Sequence, residues 1–346
     1  MLNSSQIKII QKALAEAQNP FFIFHDDPDG LASYLLLRKH YLKGAGMPVK
    51  AKPHITDDYC RYVEEYGADV VFVLDIALVD QEFIDNAGVP VYWIDHHPIQ
   101  EPKRAHYFNS RSTGKNIPTP VMCYQITQNS KYLWIATAGA IGDWYFPEYS
   151  EEFRLQYPDL LPQPVNTVPD ALYNTLLGVL IHVFSFNLKG ESANVRASIK
   201  HFLTIEDPYE ILTQTSPAGA YVWKHYLNIK KAYDLLKDKA LRIQPNDGLY
   251  VFTYTADTVS LTKDLANELL YRFPNTIIIL GRHKSGEYRC SIRAPSHINI
   301  AEHLPSLVQG IRAKGGGHEQ ALGVGVHEDD WEVFLGRVRE VAGKFR

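Results

Sequence analysis

The stretch Val91-Tyr92-Trp93-Ile94-Asp95-His96-His97-Pro98 joins an apolar, β-branched and aromatic run to three ionisable side chains and a proline. The apolar half predicts a buried strand, and the proline marks its end. A buried strand has no use for three ionisable groups in succession. The tip of a strand that holds a metal does, because carboxylate and imidazole are common metal ligands. The fold therefore turns on whether other strands end in the same way.

Two upstream strands do. Residues 21–24, Phe-Phe-Ile-Phe, run into His25-Asp26-Asp27-Pro28-Asp29-Gly30 and then into helical periodicity over 31–41. Residues 69–74 form a second apolar run that ends at Asp75. Helices are predicted over 4–18, 58–66 and 79–86, and downstream over 121–128 and 133–141, the last ending at Gly142-Asp143-Trp144. Alternation of strand and helix predicts an α/β domain with a parallel sheet. In open sheets of this kind ligands bind at the carboxyl ends of the strands.

The rest of the chain reads differently. Residues 148–169, rich in acid, tyrosine and proline, are expected to be an exposed connection. Helices are predicted over 171–188, 194–202 and 220–239, the last packing through Leu227, Ala232, Leu235 and Leu236 and linking two domains. After Pro245-Asn246-Asp247-Gly248 come strands at 249–254, 276–280, 288–294 and 322–326, with helices at 260–271 and at the end of the chain. A Gly315-Gly316-Gly317-His318 stretch precedes the last strand and is read as backbone able to approach phosphate. The expected division is a catalytic α/β domain over 1–150, a helical insert and connector over 151–246, and a smaller α/β domain over 247–346.

Composition narrows the function. Of 346 residues, 45% are hydrophobic and 21% charged, as in ordinary globular proteins. With 35 basic and 39 acidic residues the formal charge is −4, so the chain is not a polycation that coats nucleic acid. The three cysteines, Cys60, Cys123 and Cys290, lack CxxC spacing, which excludes a cysteine-rich zinc site and fits a reducing cytoplasm. No membrane-spanning run or signal-peptide core is expected.

Residues two apart in an extended segment point the same way, so His25, Asp27 and Asp29 present three ligands on one side of a strand end. Asp75, His96 and Asp143 come from other elements. Two metals sharing one carboxylate, each completed by histidine and further carboxylates, is an arrangement used for in-line displacement at phosphorus. Oxygen and nitrogen ligands without sulfur favour Mn²⁺ or Mg²⁺ over structural zinc. Singly, Asp27-Pro28-Asp29-Gly30 reads equally well as a turn, and Asp75 or Asp143 as helix caps. Four acidic element ends in one domain are harder to read as unrelated caps.

The order Asp27-x-Asp29-Gly30, Asp75, Asp95-His96-His97, Gly142-Asp143 resembles the motifs of the DHH phosphoesterase superfamily. Gly315-Gly316-Gly317-His318, with Ala321 and Gly323, resembles its C-terminal DHHA1 domain. The resemblance implies one metal on Asp27, Asp75 and His25, and another on Asp29, Asp75, His96 and Asp143, with Asp75 bridging. It further implies that His97 faces the scissile phosphate and that Asp95 orients a histidine. Many relatives carry a histidine where this chain has Ile23, which leaves the first metal's nitrogen ligand open between departure and replacement by His25.

The implied cofactors are two divalent cations, Mn²⁺ ahead of Mg²⁺. Ser291, Arg293, Gly315, Gly316, Gly317 and His318 are the expected substrate reader, and Arg104, Arg111 and Lys115 candidates for the entrance. The expected activity is a RecJ-like exonuclease on single-stranded RNA or DNA, yielding nucleoside 5′-monophosphates. The alternatives are a phosphodiesterase or phosphatase for oligoribonucleotides, bisphosphonucleotides or cyclic dinucleotides, and an inactive replication scaffold. Expected partners are nucleic acid, a second copy of the chain or a replication and repair protein; no membrane is expected.

Overall fold

The computed structural model describes residues 1–50, 54–255 and 259–345. The chain divides into two compact units, Met1–Tyr226 and Leu227–Arg346.

The first unit opens with α1 (Ser4–Glu16), capped by Asn3 and Gln6 in a reciprocal capping box. Strand β1 (Pro20–His25) follows, then α2 (Pro28–Tyr41), β2 (Ala45–Val49), the short β3 (His54–Ile55) and α3 (Cys60–Tyr66). Next come β4 (Val70–Leu74), the short β5 (Leu78–Val79), α4 (Gln81–Asn86), β6 (Val91–Asp95) and β7 (His106–Asn109). The five longer strands form one parallel sheet in the order β2-β1-β4-β6-β7. Its central strands are apolar on both faces because both are covered. Phe21 and Ile23 pack with Val63 of α3 and Phe83 of α4, whereas on the other face Phe24 stacks on Tyr34 of α2 and Phe22 meets it edge-on. Each such fully buried side chain stabilises the fold by about 1.5–3 kcal/mol.

Helices α5 (Thr119–Thr127) and α6 (Leu133–Gly142) pack on α2, and Leu133–Ile141 is buried throughout. The unit is completed by α7 (Ser150–Gln156), α8 (Val168–Asn174), α9 (Leu176–Asn187), α10 (Ser192–Phe202) and α11 (Pro208–Leu212). The unit divide falls within α12 (Pro217–Ala240).

Three sequence expectations need correction here. Residues 148–169 are not a bare exposed connection: they contain α7, and Phe153, Leu160 and Leu161 are fully buried. The apolar run 171–188 is not one helix. It breaks at Thr175, whose side chain caps α9 by accepting from Gly178 N, and α8 and α9 meet at 81°. A Cβ on Gly178 would lie 2.0 Å from Leu172 O, so the tight join requires glycine. Finally, Leu227 and Leu235 of α12 are exposed, and the buried face instead carries Val222, Tyr226, Tyr233 and Ala240. Among the described residues no single helix is long and apolar enough to cross a membrane.

The second unit contains β8 (Leu249–Thr255), α13 (Thr262–Arg272), β9 (Ile277–Lys284), β10 (Glu287–Arg293), α14 (Ile300–Val308), β11 (Ala313–His318), β12 (Ala321–His327) and α15 (Trp331–Gly343). Its mixed sheet runs β11-β12-β10-β9-β8, with only β8 and β9 parallel. One face packs Ile277, Ile279, Cys290, Ile292 and Val324 against α14 and α15; the other meets α13 over β9 and β10. The glycine stretch is therefore no loop. It is the edge strand β11, with Gly315 opposite Val324 and Gly316 opposite Gly323.

Candidate metal centre

Parallel strands place their carboxyl ends at one edge of the sheet, and the ionisable residues gather there. β1 ends at His25, and Asp27 then caps α2 by accepting from Gly30 N at 3.4 Å. A Cβ on Gly30 would lie 2.3 Å from His25 O, so glycine alone lets α2 start this close to β1. Asp27 is thus the N-cap of α2, a role the turn reading of this stretch did not name. Asp29 lies in the first turn of α2 and is buried.

Asp75 follows β4 and is wholly buried, with a left-handed φ of 59°. A non-glycine residue held there is strained, a feature that clusters at functional sites. Its two oxygens are divided. Oδ2 lies 3.6 Å from His25 Nδ1, while Oδ1 lies 3.2 Å from His96 Nε2 and accepts from Thr119 Oγ1 at 3.1 Å. His25 Nδ1 is 2.7 Å from Asp27 Oδ2, and His96 Nε2 is 3.6 Å from Asp143 Oδ2.

Among the described residues, ligand atoms of His25, Asp27 and Asp75 lie within 4.8 Å of one another, as do those of Asp29, His96 and Asp143. A third such group joins Asp75, His96 and His97. Six of the sequence-predicted ligands are thus brought together in two adjoining groups, with Asp75 reaching both.

Asp95 turns the other way. Its Oδ1 is 2.8 Å from His97 Nδ1, and its Oδ2 accepts from His97 N at 2.9 Å and Asn109 Nδ2 at 3.3 Å. It therefore fixes the His97 ring. The other support of the site is Thr119 on Asp75, the Asn116 amide 3.0 Å from His96 Nδ1, and Arg111 Nε donating to His96 O at 2.7 Å. Thr119, Asn109 and Asn116 carry no local sequence signal, since each acts on a residue at least fourteen positions away. Of the expected entrance cations, Arg111 instead braces His96, and Arg104 is an exposed partner of Asp85.

The electrostatics are those of a crowded anionic pocket. Burial favours neutral His25, but the Asp27 and Asp75 carboxylates outweigh it and push its pKa up to about 10. At His96 burial is likewise outweighed, by Asp143, Asp75 and Asp95, again to about 10. Burial, reinforced by the charges of Asp27, Asp75 and Asp143, pushes Asp29 well above the carboxylate range. Burial would raise Asp75 too, but His25 and His96 hold it below that range.

These groups need positive charge, and a divalent cation fits them. His25 Nδ1 and Asp75 Oδ2 are both buried without a hydrogen-bond partner, although oppositely charged groups stand within 4 Å. Polar atoms that converge without hydrogen bonding to each other are placed as ligands are.

The predicted substrate reader lies in the second unit. Ser291 and Arg293 share a face of β10; Arg293 donates to Asn267 Oδ1 at 2.5 Å and to Ile292 O at 2.8 Å. Gly315, Gly316, Gly317 and His318 form the exposed edge strand. Gly315 and Gly317 are required by close approach, their Cβ positions lying 2.6 Å from Gly323 O and 2.1 Å from Ala321 O, whereas Gly316 faces open space.

A five-stranded parallel α/β unit with clustered ionisable groups at the strand ends, followed by a mixed-sheet unit with a glycine edge, shares its fold with solved RecJ and DHH-domain structures. Residues 250–344 match the DHHA1 domain family. No curated protein matches the sequence. Among solved structures the chain is similar to Thermus thermophilus RecJ in complex with Mn²⁺, at 15% identity and a TM-score of 0.70 over 99% of this chain and 55% of that one. The chain thus spans about half the length of that RecJ. It is similar to an exonuclease RecJ bound to manganese, at 14% identity and a TM-score of 0.64, covering 99% of this chain and 94% of that one. It is also similar to PggH, a pGpG-specific phosphodiesterase from Vibrio cholerae, at 14% identity and a TM-score of 0.50, covering 95% of this chain and 100% of that one.

Proposed function

We propose that the chain is a divalent-cation-dependent phosphodiesterase of RecJ type, removing nucleoside 5′-monophosphates from single-stranded RNA or DNA. The observation that carries the reading is the division of Asp75, one oxygen turned to His25 and the other to His96. His25, Asp27 and Asp75 Oδ2 would hold one cation, and Asp29, His96, Asp143 and Asp75 Oδ1 the other. Bound there, divalent cations neutralise phosphoryl charge and acidify an attacking water. Donors limited to oxygen and nitrogen suit Mn²⁺ or Mg²⁺.

The remaining steps belong to the side chains. His97 directs Nδ1 to Asp95, so a phosphoryl oxygen would be met by Nε2. Burial opposes a charge on His97, but Asp95 outweighs it and raises the pKa, favouring the protonated donor. Thr119 fixes the rotation of Asp75, and Arg111 with Asn116 holds the His96 loop. Arg293, Ser291 and the glycine edge would read the phosphates of the bound end, the planar guanidinium suiting that role.

A second reading, a phosphodiesterase for very short substrates, is favoured by the full-length coverage of PggH. End-labelled strands of two to twenty nucleotides, incubated with Mn²⁺, separate the two. The exonuclease reading expects monophosphates from every length; activity confined to the shortest strands would overturn it in favour of the second reading.

A further inference from the structure

On the face of the second sheet that carries Arg293, strand alternation and register place a further set of cations. Residues two apart on a strand share a face, and antiparallel partners directly opposite share it too. Arg289, Ser291 and Arg293 of β10 therefore lie on one face, with Gly325, Gly323 and Ala321 opposite them on β12. Lys314 of β11 lies opposite Gly325, and Arg282 of β9 lies opposite Arg289. The floor between them is bare: a Cβ on Gly316 or on Gly323 would meet nothing within 4 Å.

Arg282 is unusual within this set. It is only 8% exposed, yet its buried Nε has no hydrogen-bond partner. It also stands directly across from a second arginine, and like charges at opposed positions of a sheet destabilise it. A planar cation buried without acceptors beside another cation calls for an anion. The local acid does not supply it. Glu287 pairs with Arg289, Nε to Oε2 at 3.1 Å, and its Oε1 lies over Gly325, 2.2 Å from where a Cβ would stand. Among the described residues Glu287 thus pairs with Arg289 alone of the three cations, and no hydrogen bond or ion pair is formed by Lys314.

We propose that Arg282, Arg289 and Lys314 form a second phosphate station on the DHHA1 sheet, which holds the backbone of a nucleic-acid strand inward of the Arg293 and His318 end. The inference rests on the phosphodiesterase reading above and extends it to substrate length. Arg289 is four residues from Arg293 along β10, roughly 13 Å at strand rise. One or two nucleotide steps of an extended strand can cross that span, over glycines that leave room for sugars and bases. Glu287 is displaced from Arg289 when a phosphate enters. The station is therefore empty for a dinucleotide and filled for longer strands.

The test compares wild type with Arg289→Ala, Lys314→Ala and the buried Arg282→Gln. Fluorescence anisotropy with 3′-labelled strands of two and of ten nucleotides is read without divalent cations across a salt series. Mn²⁺-dependent hydrolysis of the same two lengths is read in parallel. Each exposed variant is expected to weaken ten-nucleotide binding about tenfold and to lower the salt slope by about 0.7 per cation removed. Dinucleotide binding and turnover are expected to stay unchanged. Equal losses for both lengths, or none for the longer strand, would overturn the station. Length-selective binding losses without hydrolysis by the wild type would leave the station standing and remove the catalytic reading; hydrolysis with unaltered variants would do the reverse. Arg282→Gln is expected to show the same length-selective loss, with circular dichroism excluding misfolding as its cause.

Discussion

Asp75→Asn isolates the feature on which the two-cation account depends. Asparagine is isosteric, tolerates the left-handed φ of 59°, and still offers Thr119 an acceptor, so the backbone and packing are retained. It loses the negative charge and one of the two oxygens. A single amide oxygen serves the His25 side, where Asp75 Oδ2 now stands 3.6 Å from Nδ1, or the His96 side, where Oδ1 stands 3.2 Å from Nε2, but not both. One unit charge at about 4 Å from a cation is worth about 4 kcal/mol per charge pair at an effective dielectric near 20. A loss of that size corresponds to about a thousandfold in affinity or rate. Calorimetric titration with Mn²⁺ is expected to find two ions in the wild type and at most one in the variant. The kcat/KM on a labelled oligonucleotide should fall by at least about a thousandfold. Two ions bound with undiminished turnover would refute the bridging role, provided circular dichroism shows both proteins folded.

Other consequences are smaller or of different sign. Thr119→Val removes one buried hydrogen bond to Asp75, about 1 kcal/mol, and should weaken Mn²⁺ binding roughly fivefold by calorimetry while leaving the stoichiometry at two. Asp95→Asn takes the charge from the partner of His97 Nδ1; kcat should drop about a hundredfold with both ions still bound. Arg293→Ala should chiefly raise KM at every strand length, the dinucleotide included, as initial rates across lengths will show. Because His25 and His96 have pKa values pushed up to about 10, both carry protons at pH 7.5 that a cation must displace. Mn²⁺ affinity should therefore rise with pH toward 10 and fall as the medium is acidified, with at least about two protons released at saturation, Asp29 adding to the count because burial pushes it above the carboxylate range. Titration in buffers of different ionisation enthalpy measures the release, and a value of zero would contradict the assignment of these histidines as ligands.

The residues of the proposed centre were legible in sequence because each stands at or just past the end of an apolar run, and a parallel sheet brings its strand ends together. His25 Nδ1 stands among Asp27 and Asp75, whereas Ile23 is fully buried in the core, which supports His25 as the proposed nitrogen ligand. What stayed hidden has physical causes. β2 is Ala-Gly-Met-Pro-Val, poor in strand formers; at the sheet edge the missing proline N–H costs little. Three consecutive glycines read as a loop, yet in β11 two of them are demanded by the close approach of β12. The α12 face was misassigned because Tyr226 and Tyr233, amphipathic residues, are buried where Leu227 and Leu235 are not. The supports at Thr119, Asn109 and Asn116 depend on contacts between elements, which no local pattern encodes.

The most direct test of the central claim is a time course of Mn²⁺-dependent digestion on an internally labelled single strand, with products resolved by size and chromatographed against nucleoside monophosphate standards. The account predicts stepwise shortening from one end, 5′-monophosphates as the released product, and complete arrest by chelation of the metal. A protein that binds two Mn²⁺ ions yet hydrolyses no phosphodiester, long or short, would contradict it.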